Sequence, residues 1–238
     1  TEGPERYRDA AAKGVSWSTE QIAYEDMQIR GAFEVRAFHT TLGNMVAVFA
    51  DITERKQAEE TLRQRLTELE AVHTVSAALR TAQTLDEALP IVLDQTLDAL
   101  ETDAGTIWLY HPASDELRVA INRGWFSEVD NTPMKSGEGI AGTVFASGQA
   151  HFSAEFARDP LAHPLRVGEI PAGFGGACVP IRTAAKATGV LFVSVPLPRQ
   201  ITPEQMKLLN SLAEMAGAAL HRMRLYEETK RQLKFLKA

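Results

Sequence analysis

The chain has 238 residues, 45% apolar and 24% charged, the proportions of a globular protein with room for one large or two small domains. Its formal net charge of -6 supplies no basic face for nucleic-acid phosphates. No apolar run approaches the roughly 20 residues that span a bilayer, and the N-terminal Thr1-Glu2-Gly3-Pro4-Glu5-Arg6 has no signal-peptide plan, so a cytoplasmic chain with neither membrane nor nucleic acid as partner is expected.

In chain order, residues 7–13 suit the last turns of a helix that Gly14 stops. Strand-like runs come next at 18–24, 33–39 and 45–50, with 40–44 as the hairpin between the last two. The third run, Met45-Val46-Ala47-Val48-Phe49-Ala50, is continuously apolar, as for a strand covered on both faces. Asp51 then sits where a helix N-cap belongs, with Glu54 three residues on as a capping-box partner. Ala58, Leu62, Leu66 and Leu69 recur at spacings of four, four and three among Glu, Arg and Gln, an amphipathic helix whose narrow apolar seam needs a partner helix.

Residues 81–84 break this helix, and a second one over 85–100 buries Leu85, Leu89, Val92, Leu93, Leu97 and Leu100, capped by Thr84 with Glu87 and bent by Pro90. Runs at 105–110 and 117–121 make a hairpin through the turn at 111–115. Ser136 is placed to cap a short helix over 140–146 that Gly148 ends. A loop-rich stretch over 153–176 precedes strands at 177–182 and 189–195. The last helix starts at Thr202-Pro203-Glu204-Gln205, a capping box with proline at the first helical position. If it runs to the end it reaches about 50 Å at roughly 1.5 Å per residue. Leu209, Leu212, Ala216, Ala219, Met223, Tyr226 and Leu233 trace a heptad-like seam along it.

Two stretches carry a family resemblance. Asp51-Ile52-Thr53-Glu54-Arg55-Lys56 resembles the motif that closes PAS sensory domains and opens the helix to the next signalling module, and Gly137-Glu138-Gly139-Ile140-Ala141-Gly142, together with the residues after it, is similar to GAF domains. The resemblance implies an α+β chain: a partial PAS domain over 1–52 (its final helix and last three strands), a connector helix over 53–80, a GAF domain over 81–222, and an output helix over 223–238. The GAF part is expected to have an antiparallel sheet with helices on one side and a pocket under loops on the other. Residues 1–50, a three-stranded sheet without its covering helices, should leave an edge and an apolar face exposed. Arg63–Ala71 and Lys230–Ala238 share basic or polar residues followed by Leu, Leu and Ala, which suggests that another module begins where the chain ends.

Several motifs that promise chemistry have plainer readings. Gly137-Glu138-Gly139-Ile140-Ala141-Gly142 matches the dinucleotide fingerprint, yet lacks the parallel βαβ context that gives it meaning; the glycines start a short helix and pack it close to the sheet. The single cysteine, Cys178, excludes an internal disulfide framework or a cysteine-rich zinc site, and in an apolar strand it reads as a small buried hydrophobe. GAF domains that reduce methionine sulfoxide use several cysteines, and those that attach a bilin place a cysteine elsewhere, so neither activity is expected and no covalent bilin. The six histidines show no metal-ligand spacing, and His221 lacks the context of a phospho-accepting histidine.

A ligand pocket is expected between sheet and loops, walled by Trp125, Phe126, Phe145, Phe152, Phe156 and Phe174, with Asn122, Arg123, His163 and Arg166 as polar groups. The plainer reading is that these aromatics pin long loops. Taken together, a non-enzymatic sensory segment of a bacterial-type signalling protein, such as a sensor histidine kinase of a two-component system, is expected. Its partners would be a second copy in parallel, through Leu62, Leu66 and Leu69 and through Leu209, Leu212, Ala216, Met223 and Tyr226, then a downstream output module and a small ligand of unknown identity. The alternative is a structural dimerisation module without a ligand.

Overall fold

The computed structural model describes residues 11–25, 30–41, 44–164, 168–183 and 186–236. The chain divides into two compact units, Thr1–Leu66 and Thr67–Ala238. In the first, strands β1 (Trp17–Glu25), β2 (Arg30–Thr41) and β3 (Asn44–Asp51) form an antiparallel sheet in sequence order. The helical turn expected over 7–13 lies partly outside the described residues; Ala11–Lys13 is helical and ends before Gly14. The tip of the β2–β3 hairpin also lies outside them.

Register places Phe38 beside Val46 and Arg36 beside Val48 on one face, and Val35 beside Phe49 and Ala37 beside Ala47 on the other. Val35 and Ala37 are buried. The expected two-sided cover of β3 is corrected: Val46, Val48 and Phe49 are about half or more exposed, at 48%, 50% and 60%. Among the described residues β3 is an edge strand, so its outer flank has no neighbour's side chains to shelter it.

Helix α1 (Thr53–Thr81) begins one residue after β3. Asp51 ends β3 rather than capping the helix: its Oδ1 accepts the Thr53 N–H at 2.9 Å, while the first helical turn closes from the Lys56 N–H onto the Ile52 carbonyl at 2.9 Å. The N-cap is therefore Ile52, which corrects the assignment to Asp51. The joint is nevertheless well tied. Ile52 N–H donates to the Ala32 carbonyl at 2.9 Å, Thr53 Oγ1 accepts the Ala32 N–H at 3.0 Å, and Arg55 and Lys56 each reach the Glu20 carboxylate at 2.6 Å. The hydrogen bonds from Arg55 and then Lys56 hold the Glu20 carboxyl down at about 2.

In the second unit, β4 (Ala104–His111), β5 (Glu116–Arg123), β6 (Met134–Lys135), β7 (His151–Ser153), β8 (Phe174–Arg182) and β9 (Ala187–Pro196) form one antiparallel sheet in the order β6-β5-β4-β9-β8-β7. The two short edge strands β6 and β7 have no counterpart among the strands expected from the sequence. Helix α2 (Leu85–Ala99) and helix α4 (Pro203–Leu236) pack with the end of α1 on one face, over Ile107, Leu109, Val179, Ile181, Leu191 and Val193. The short helix α3 (Gly139–Ser147) and the long loops cover the other. Cover on both faces is why β4, β8 and β9 read as unbroken apolar runs.

The expected caps of the long helices hold. Thr84 Oγ1 accepts the Glu87 N–H at 3.3 Å, and Thr202 and Gln205 exchange reciprocal bonds at 3.2 and 3.1 Å. Helix α2 runs through Pro90. The cap of α3 is corrected: Glu138, not Ser136, holds the N-cap position, and Glu138 Oε2 instead accepts the Lys135 N–H at 3.1 Å. Gly148 ends α3 in the left-handed conformation, as expected.

The largest correction concerns α4. Leu209, Leu212, Ala216 and Met223, expected to face a second copy, are buried in the chain's own core with α1 and α2, at 0%, 0%, 1% and 4% exposure. Their stripe already has its partner surface, the sheet, and has nothing left to offer another chain. Tyr226 is exposed at 64%; the side chain of Leu233 lies outside the described residues.

Candidate functional site

On the loop-covered face of the sheet, β4 contributes Trp108, β9 Phe192, β6 Met134 and α3 Ile140 and Ala141 to a cavity of about 70 Å³. Strand pairing explains how they converge. A register shift in β5 opposite Ile107 and Trp108 leaves Ile121 facing the helices while Val119 and Leu117 face the cavity side with Trp108.

The remaining walls come from two 3-10 turns and from loop residues. The turn Gly124–Ser127 presents Trp125 and Phe126, whose rings stack with centroids 3.9 Å apart. Trp125 Nε1 donates to Ser194 Oγ at 3.1 Å, which fixes the indole to β9. The turn Phe156–Arg158 presents Phe156, buried, with its ring 6.2 Å from both Trp125 and Phe192. Val129, Ala162, His163 and Ile170 complete the lining. Among the described residues His163 is the one ionisable side chain there. Such a lining favours a molecule without charge, since an ion would lose its hydration without gaining a counter-charge.

The loop that carries Phe156 is latched to edge strand β7. His151 Nε2 lies 2.8 Å from Asp159 Oδ2, and Asp159 Oδ1 accepts the Leu161 N–H at 2.9 Å. Burial pushes the Asp159 carboxyl up, but the nearby Ser153 hydroxyl and the hydrogen bonds with His151 and the Leu161 N–H outweigh it and hold the group below the usual aspartate range. Farther along, the Gly173 N–H donates to Glu155 Oε1 at 3.1 Å, and the Asp130 N–H to Glu169 Oε2 at 3.0 Å.

Of the residues the sequence singles out, Trp125, Phe126, Phe156 and His163 line the cavity. Asn122, Arg123, Phe145, Phe152 and Phe174 do not. Asn122 lies within hydrogen-bond distance of Thr106 Oγ1 (2.5 Å) and bonds Asn131 Oδ1 at 3.1 Å, tying β5 to the loop behind it. Phe145 stacks on Tyr110 at 4.6 Å, Phe152 is 42% exposed on the edge strand, and Phe174 stands behind Trp125 at 6.1 Å. Arg123 is engaged with Asp94 of α2 at 2.8 and 3.1 Å, and Arg166 lies outside the described residues. Trp108 and Phe192 escape a reading of the sequence: in strands apolar on both faces, alternation no longer says which side chain faces which layer.

The glycine motif has the packing role expected of it. Gly139 opens α3 with φ +62°, and a Cβ at Gly142 would collide with the Lys135 carbonyl oxygen. Cys178 is buried on β8, opposite His151 in register, and burial raises its thiol well above the ordinary range. The imidazole's Nε2 is engaged by Asp159, and a buried, protonated thiol is a poor nucleophile. Among the described residues no three His, Cys, Asp or Glu side chains cluster for a metal ion, and no helix is long and apolar enough to cross a membrane.

The family model described as GAF domain matches residues 82–221. Among solved structures, the chain is similar to the GAF domain from a phosphoenolpyruvate-protein phosphotransferase (ptsP) of Coxiella burnetii, at 19% identity and a TM-score of 0.59 over 68% of this chain and 98% of that one. It is similar to the A. aeolicus nlh2 GAF domain in an inactive state, at 19% identity and 0.55 over 66% and 98%. The free methionine-R-sulfoxide reductase of Neisseria meningitidis, solved with its substrate, aligns at 16% identity and 0.57 over 67% and 91%. At these identities the likeness is one of fold. No curated protein matches the chain.

Proposed function

The chain belongs to the GAF domain family through residues 82–221, and from that premise we infer that it is a non-enzymatic sensory segment of a signal-transduction protein, with a small, uncharged, mostly apolar molecule as its signal. The observation that carries this reading is the aromatic cavity between sheet and loops, closed over by segments held through a few polar latches. A ligand that wedges between Trp125 and Phe156 would shift those loops, and a population shift between two loop positions is the simplest way to report its presence.

The antiparallel three-stranded sheet locked to α1 through Asp51, Ile52 and Thr53 supports reading 1–52 as the end of a PAS domain, 53–80 as its signalling helix, 81–222 as the GAF domain and 223–238 as the helix toward an output module such as a histidine kinase. A second copy is the partner expected for α1, whose Leu62, Leu66 and Leu69 are exposed. Absence of turnover rests on Cys178, the one cysteine of the chain, buried and raised in pKa, where a methionine sulfoxide reductase needs accessible thiols.

One observation favours the alternative of a structural module with no ligand. At about 70 Å³ the cavity is roughly half the ~150 Å³ of an engineered apolar cavity that takes benzene. Native mass spectrometry of the purified chain separates the two. A reproducible small-molecule mass that is lost in Ala162→Leu, which fills the cavity, supports the sensor; a protein with no adduct, and none gained with indole or benzene, supports the structural module. Turnover of free methionine sulfoxide would overturn both.

A further inference from the structure

The turn that carries Trp125 and Phe126 is anchored to a helix on the other face of the sheet. Arg123 ends β5 and directly precedes that turn. Its guanidinium grips Asp94 of α2 as a fork, Nε to Oδ1 at 2.8 Å and Nη2 to Oδ2 at 3.1 Å, while Nη1 donates to the Asn122 carbonyl at 2.9 Å. Two glycines bring the parts within reach. Gly105 pairs with Arg123 in register, and a Cβ there would meet Leu93 and Leu97, so its absence lets α2 lie close over β4. Gly124 takes φ +59°, and a Cβ on it would collide with Ala104, so the turn sits directly on the start of β4. A second tie reaches the end of the same helix: Trp125 Nε1 donates to Ser194 Oγ, the Ser194 carbonyl accepts Thr102 Oγ1, and the Thr102 N–H donates to the Leu97 carbonyl at 3.0 Å. Arg199, in the segment that leads to α4, bonds the Leu100 and Glu101 carbonyls just past α2.

We propose that Arg123 is a positioning residue that passes the state of the cavity to α2, because displacement of the Trp125–Phe126 turn pulls on or releases Asp94 through the guanidinium fork. This rests on the sensor reading above and adds a route out of the cavity. The stacked rings of Trp125 and Phe126, 3.9 Å apart, make the turn move as one body, and Arg123 is two residues from the ring a ligand would push. The Arg123 and Asp94 side chains are 39% and 46% exposed, so the pair is a weak source of stability. Two parallel N–H to oxygen bonds nevertheless fix direction as well as distance. On its other side α2 is buried through Leu89, Val92, Leu93 and Leu97 in the core it shares with α4. A helix packed in this way shifts as a unit rather than deforming, so a pull at Asp94 is felt along its length.

The test needs no ligand. In the whole chain Ala162→Leu fills the cavity and Phe156→Leu trims its wall, and amide exchange over 92–98 in α2 is read as a ratio to exchange over 177–181 in β8. A change in overall stability moves both segments alike and leaves the ratio fixed, whereas coupling to α2 does not. At least one of the two substitutions should shift the ratio about threefold or more, on the scale of coupling between sites in one fold. The same substitution made together with Arg123→Gln, or with Asp94→Asn, should shift it by less than about 1.5-fold, the limit for sites that act independently. A ratio that neither cavity substitution moves, or one that moves as far without Arg123 as with it, overturns the strut whether or not the cavity takes a ligand. A native mass spectrum without adduct removes the sensor reading instead, and the exchange ratio still decides the coupling.

Discussion

Trp125 Nε1 donates to Ser194 Oγ at 3.1 Å, a single hydrogen bond that holds the wall of the cavity to the central strand beneath it. Ser194 is fully buried, at the end of β9 that also receives Thr102 Oγ1 on its carbonyl at 2.5 Å. The loop after β5 and the sheet are coupled here at one side chain.

Ser194→Ala removes the acceptor and leaves the indole N–H in a mostly apolar wall. The expected loss is about 1 kcal/mol, or about 2–4 °C in the melting temperature, with a shift in tryptophan emission. Thermal melts followed by fluorescence check this. An unchanged melt and spectrum would mean that the Trp125–Phe126 stack alone fixes the ring.

The latch between His151 and Asp159 makes the loop that carries Phe156 sensitive to acid. The folded Asp159 carboxyl titrates below its ordinary value, so its contribution is complete above the aspartate range and is lost as pH falls through that range toward the folded value. Stability of the parent should therefore drop on acidification below about 4. Asp159→Asn should be less stable at neutral pH and show a flatter acid limb in urea titrations. Parallel acid limbs would count against the latch.

Glu20 gives the joint at the start of α1 a lower acid limit. Its carboxyl, held at about 2 by Arg55 and Lys56 against an ordinary value of 4.5, contributes fully above 4.5 and loses that contribution between 4.5 and about 2. Glu20→Gln should speed amide exchange at Thr53 to Lys56 at neutral pH, and more so at low salt, where the exposed pairs are least screened. Exchange identical to the parent would assign the joint to Thr53 and Ile52 alone.

Gly142 admits no side chain without movement, because a Cβ there meets the Lys135 carbonyl oxygen. Gly142→Ala should cost roughly 1–3 kcal/mol, the range for overpacking a tight contact, by prising α3 from β6. The urea midpoint measures it. A neutral result would show that β6 yields freely.

Cys178 should resist thiol reagents in the folded chain and react at once in denaturant, since burial keeps it protonated. Labelling at equal rates in both states would require an opening to β8 that the structure does not show.

The sequence alone determined the elements whose signals are local. Thr84 with Glu87 and Thr202 with Gln205 announced their helix starts, because a capping bond is made within four residues and needs nothing from the rest of the chain. The runs at 105–110, 177–182 and 189–195 announced strands β4, β8 and β9, and the glycine-led stretch from Gly137 announced the family. Tertiary structure decided which surface each apolar stripe meets. Leu62, Leu66 and Leu69 on α1 and Leu209, Leu212 and Ala216 on α4 carry similar helical spacing, yet the first set is exposed and the second lies in the core. Periodicity records that a face is apolar and is silent about what covers it. The cavity was half legible for the same reason: aromatics in polar loops stand out one by one, whereas Trp108 and Phe192 face it only because strand pairing and the register shift in β5 turn them that way.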